Sequence, residues 1–370
     1  MPQVRTKALA ICAHSVILIL STGHWAAAAG VSFNTTYGDG LLALEGTNPA
    51  LAANIQSGFS QATSIWSSLL GDPITVNLKL DWDDLDSNTL ASASSPDVYQ
   101  PYGTVYAALT ADRTSPHDFT AVANMPPTPA IGGYTNARDG TRYFSAPNAS
   151  LASTVLSLDR ANAKALGLLA AHDAGLDSTI RFNSDFFDDW SFTHTPTPGL
   201  YDFVGVALHE IGHALGFTSG VSGVDSYTGL GPNANVDLNG PEPGIGTGDN
   251  VPIFTVLDMF RHSDDSNLVS SQALELGSGG TPFFQIDGAT PLGNFSTGVY
   301  NGDGRQPSHW KSNVAAVMRP ASSRGGVQDL TELDLTAFDV IGYQIVPEPS
   351  TLVLAAVAAI GLVLARRRRR

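Results

Sequence analysis

Residues Tyr201–Asp225 read YDFVGVALHEIGHALGFTSGVSGVD. Positions four apart on a helix stand one above the other, so His209 and His213 present two imidazoles to one point. Zinc binds imidazole nitrogen at about 2.0–2.1 Å in a tetrahedral set and keeps one position open at catalytic sites. Glu210 lies between the two histidines, where its carboxylate can serve as general base toward a water. The apolar run FVGVAL ahead of them marks a buried helix, in which unliganded polar groups would be costly. Asp202 is placed to cap that helix and Gly216 to end it.

Two imidazoles do not hold zinc alone, and the third ligand must come from further on. The downstream candidates are Ser219, Asp225, His262 and His309. A neutral serine is a poor zinc ligand. Asp225 is chemically able, and His262, in MFRHSDDS, reads as part of a polar turn. His309 stands in SHW, with Met318 nine residues later and Pro320 after it.

HEIGHALGF (His209–Phe217), followed after a long insertion by SHW (Ser308–Trp310) and VMRP (Val317–Pro320), resembles the leishmanolysin-like branch of the metzincin proteases. It is more similar still to bacterial PEP-CTERM metalloproteases carrying YDFVGVALHEIGHALGF, GDG, SHW and a closing DVIGY. The likeness runs loosely from about residue 50 to 345 and is concentrated in the two motif blocks. It implies that His209, His213 and His309 bind Zn2+, that Glu210 is the base, and that Met318 forms the methionine turn beneath the ligands. It also implies that Gly216 swings the chain into a lower lobe, so that Ser219 does not mark a broken site. Two departures stand out. The mature chain has no cysteine, whereas leishmanolysins are rich in disulfides. No tyrosine follows Met318, so none is assigned to transition-state stabilisation.

Both ends of the chain carry targeting patterns. Residues 1–29 read as a signal peptide, with Arg5 and Lys7, an apolar run, and AAAA before Gly30. Residues 346–370 place Pro-Glu-Pro before an apolar stretch, Thr351–Ala365, and the tip Arg366–Arg370. That order resembles the PEP-CTERM sorting signal. It implies exosortase-type machinery as a partner, transient membrane association through a C-terminal helix, and delivery to the Gram-negative cell surface or extracellular matrix. The one cysteine, Cys12, lies in the signal, so export must be survived without a disulfide. The two ends hold seven of the 19 lysines and arginines and one of the 34 acids, leaving 12 bases against 33 acids between them. Nucleic acid is excluded as a partner of so acidic a body.

Between the ends, hydrophobic spacing in LAANIQSGFSQATSIWSSLL predicts a helix and alternation in ITVNLKLDW a half-buried strand. DSNTLASASSPD reads as a loop, YGTVYAALTAD and LDRANAKALGLL as helices, and STIRFNSDFFDDW as a strand. IRFNSDFF is expected to form the cleft edge along which an extended peptide pairs. Residues 217–305 read as loop-dominated, with calcium a further option around Asp237–Asp249. LTELDLTAFDVIGY predicts a last helix, capped by Thr331 with Asp334 three residues on and stopped at Gly342. The expectation is an α+β metzincin-type zincin: a catalytic domain at 30–345, with a twisted sheet and the active-site helix in an upper lobe (about 30–216). A loop-rich lower lobe (about 217–345) ends in a helix. The expected activity is that of an exported zinc endopeptidase in which Glu210 activates a zinc-bound water to hydrolyse protein or peptide substrates. The alternative is a non-catalytic, zinc-stabilised surface or matrix protein on the same scaffold.

Overall fold

A computed structural model describes residues 30–234 and 252–346. The signal segment, Asp237–Asp249 and residues 347–370 lie outside the described residues. Ile74, Val76, Leu78 and Leu80 are all buried, and their alternation builds the strand Thr75–Asp83. This strand is central, pairing in parallel with Ser32–Tyr37 on one side and with Ser178–Asn183 on the other. The serine-rich stretch expected to be a loop instead supplies a fourth strand, Ala91–Ser94, antiparallel to Ser178–Asn183, with Ala93 opposite Ile180. Small polar side chains give almost no strand signal by propensity, and the ladder with Ser178–Asn183 creates this strand. The strand Ser178–Asn183 is therefore internal to the sheet, and the cleft edge falls on Ala91–Ser94 and not on the IRFNSDFF segment.

The long helix Pro49–Leu69 starts with proline at its first position and with the Asn48 side chain accepting from the Leu51 amide. Proline costs nothing there, because its missing N–H would have been unpaired anyway. The helix buries Ile55, Phe59, Ala62 and Trp66. It packs on the site helix, Phe203–Ala214, and the Trp66 indole donates to the Leu208 carbonyl at 3.1 Å. The contact is close enough that a Cβ on Gly58 would meet the Phe203 ring.

The site helix stops as expected at Gly216, which has φ +109°. The Phe217 amide bonds the Gly212 carbonyl at 3.1 Å and the Gly216 amide that of His213 at 3.0 Å, satisfying the last carbonyls of the helix. Asp202 stands at the first-cap position but does not cap. Its carboxylate instead holds the His194 Nδ1 and the Gln328 amide, tying the start of the helix to two loops. Likewise Asp159 stands at the cap position of Arg160–Ala165 without capping it, and accepts from Thr218 Oγ1.

Beyond the helix most of the chain is turns and two-residue strands, such as the set Arg261–His262, Phe283–Phe284 and Gly293–Asn294. Here His262 is buried in a strand, not exposed in a polar turn. The closing helix Glu332–Val340 carries the full reciprocal cap of Thr331 and Asp334 and ends at Gly342, φ +109°. The chain is a mixed α+β fold with several small sheets. One continuous apolar core joins the sheet, both long helices and the turn-rich region. Among the described residues no helix is long and apolar enough to cross a membrane.

Candidate metal centre and cleft

The site helix delivers His209 and His213 on one face, and the chain returns 96 residues after His213 to place His309 opposite them. The three Nε2 atoms lie 3.1 Å (His209–His213), 3.2 Å (His213–His309) and 3.2 Å (His209–His309) apart. Each Nδ1 faces a main-chain carbonyl: Val317 for His209 at 2.8 Å, Phe217 for His213 at 2.7 Å, and Gln306 for His309 at 3.2 Å. A carbonyl can only accept, so each Nδ1 holds the proton and each Nε2 presents a lone pair. Burial pushes all three imidazoles below their ordinary range, His213 to about 3, which keeps them neutral. Three neutral nitrogen lone pairs aimed at one point repel one another unless a cation is shared between them. Their spacing is close to the edge of about 3.3 Å that a tetrahedral zinc–imidazole set requires. The residues fit a zinc ion, and no other cluster of three metal-ligating side chains occurs among the described residues.

Glu210 is 5 % exposed, and burial alone pushes its carboxyl up, to about 8. None of the described residues hydrogen-bonds its side chain, which lines the same cleft as the three histidines. Met318 is fully buried, and a Cβ on Gly212, between Glu210 and His213 on the helix, would run into its sulfur. The methionine therefore packs directly against the site helix at Gly212. Asp334 organises this region: its carboxylate accepts from the Trp310 indole (2.8 Å), the Val317 amide (3.0 Å) and the Met318 amide (3.3 Å). The Trp310 amide also bonds the Met318 carbonyl at 3.0 Å, so the segments bearing His309 and Met318 are laced together. In the sequence Asp334 is legible only as part of the helix cap. Its hold on Trp310 and the methionine turn is long-range and left no local pattern.

The other candidates for third ligand are engaged elsewhere. Ser219 donates to Asp258 at 2.6 Å. The Asp225 carboxylate accepts from the amides of Val299, Tyr300 and Asn301. His262 Nδ1 meets the Ala273 carbonyl at 2.9 Å. The cleft itself measures about 590 Å³ and is lined by Ala91, Ser92 and Ala93 of the edge strand together with Arg305, Arg319 and Pro320.

Residues 346–370 match the PEP-CTERM protein-sorting motif. That motif implies recognition by exosortase sorting machinery, with export and sorting to the envelope or surface of Gram-negative cells. No curated protein and no solved structure matches the chain.

Proposed function

We propose that the chain is an exported zinc endopeptidase of the leishmanolysin-like metzincin kind. The observation that carries this reading is the convergence of three Nε2 lone pairs beside an unpaired, buried glutamate in an open cleft. His209, His213 and His309 would hold the ion, with Met318 packed against the helix that carries the first two. A bound zinc ion supplies a Lewis acid that polarises a carbonyl and acidifies a water. A cation beside it would hold Glu210 ionised against its burial, and the carboxylate would then take the proton of the attacking water and hand it to the leaving amine nitrogen. The strand Ala91–Ser94 pairs on one side only, so its other edge is free to align an extended peptide over the histidines. A zinc-stabilised scaffold without activity would have no use for Glu210, which makes that residue the discriminating one.

The test is hydrolysis of an unfolded protein by the purified mature chain, with zinc, with chelator, and with the Glu210→Gln variant. Activity is expected to vanish with chelator and to fall by about a hundredfold or more in the variant, which keeps its zinc because the ligands remain. Zinc-loaded wild-type protein that cleaves nothing, or a variant of near wild-type activity, would contradict the reading.

A further inference from the structure

Nine arginines lie among the described residues. Four of them pair with carboxylates and three donate to main-chain carbonyls. The remaining two, Arg305 and Arg319, meet no side-chain partner among the described residues, and both line the cleft. Arg319 is half-buried, and its Nε is shut off from solvent without a hydrogen-bond partner. The Nε atoms of Arg142, Arg160 and Arg261 are likewise unpartnered, but each of those guanidiniums is held at another nitrogen, whereas that of Arg319 is held at none by the described residues, and an unsatisfied buried donor is costly. Arg305 is exposed and lines the same cleft, four residues before His309. Among the described residues Glu210 is the only acid lining the cleft. In a body where 33 acids face 12 bases, the cleft thus inverts the surrounding charge.

We propose that Arg319, assisted by Arg305, reads a carboxylate on the substrate, so that the favoured peptides carry an acidic side chain beside the bond that is cut. The inference rests on the peptidase reading above. The planar guanidinium offers a carboxylate two parallel donors, which an amide of the same shape cannot match in strength. Its place directly after Met318 sets it at the rim of the histidine cluster, within the same turn that Asp334 holds.

The proposal is tested with internally quenched peptides, amidated at the C-terminus, that differ only in Glu, Gln or Lys flanking the scissile bond. For zinc-loaded wild-type protein the Glu peptide should exceed the Gln peptide in kcat/KM by about tenfold or more, as expected for a charge-assisted pair in a partly desolvated cleft. The Glu/Gln ratio should approach one in Arg319→Met, and Arg319→Glu should shift the preference toward Lys, a reversal that a merely structural role would not produce. Equal rates for wild-type protein, or a Glu preference that survives both substitutions, would overturn the proposal. A preference that appears only with a free C-terminal carboxylate would assign Arg319 to the chain end and overturn the side-chain assignment. Binding of the same peptides to the zinc-loaded Glu210→Gln chain, read by fluorescence anisotropy, separates the two readings. Arg319-dependent binding of the Glu peptide without any wild-type hydrolysis keeps the carboxylate site and removes the peptidase. Hydrolysis without carboxylate preference does the reverse.

Discussion

His262 and His309 are both buried histidines of the same turn-rich region, each with Nδ1 held by a carbonyl. They differ in what Nε2 faces: for His309 it faces the other two imidazoles at 3.2 Å. His309→Ala is therefore expected to lose its zinc on dialysis. His262→Ala should keep about one equivalent, since no ligand is touched, and lose on the order of 2 kcal/mol of stability to the cavity it leaves. Zinc content by mass spectrometry and urea unfolding check the two halves of this expectation. The contrast also shows what a sequence discloses. His209, Glu210 and His213 were legible because helical spacing is local. From its neighbours alone His309 stayed one candidate among four, since its contacts cross about a hundred residues. Only the family resemblance singled it out. Arg319 had no signal at all, because an unpaired charge is a property of the folded surroundings.

At the level of elements, the closing helix does more than end the domain. Through Asp334 its first turn holds Trp310, Val317 and Met318, and the Val317 carbonyl in turn fixes the His209 ring. Asp334→Ala removes a fully buried carboxylate that satisfies donors on three segments. It is expected to cost on the order of 3 kcal/mol or more, as stranded buried donors do, and to weaken zinc binding although no ligand is altered. Urea unfolding with and without zinc measures both effects. If zinc affinity were unchanged, the closing helix would not position the site. Elements with strong patterns, such as the helix Pro49–Leu69 and the strand Thr75–Asp83, were readable in outline. The edge strand Ala91–Ser94 was not. Its identity comes from the neighbour it pairs with, and alanine and serine advertise neither strand nor burial.

On the scale of the whole molecule, the chain closes on itself where the Gln344 amide meets the Asp72 carboxylate at 2.9 Å and Leu70 bridges Ile345. Burial, with a smaller push from Asp112, raises the Asp72 carboxyl from its ordinary 3.8 to about 7. The folded chain therefore holds a proton that the unfolded chain has lost between those values. Stability from this group is complete below about pH 4 and is lost as pH rises through 7. Asp72→Asn should raise the melting temperature at pH 8 and change it little at pH 4, a difference that calorimetry at the two pH values resolves. At the far end, protein collected from the cell surface should lack Arg366–Arg370 by mass spectrometry if sorting removes the matched tail. The candidate centre draws two histidines from the helix packed to the sheet and one from the turn-rich region. Anomalous diffraction at the zinc edge from crystals of the mature chain tests that arrangement most directly. The expected result is one peak about 2.0–2.1 Å from the Nε2 atoms of His209, His213 and His309, beside the Glu210 carboxylate. No peak at the three histidines, or one completed by Asp225 or His262 in place of His309, would contradict the account.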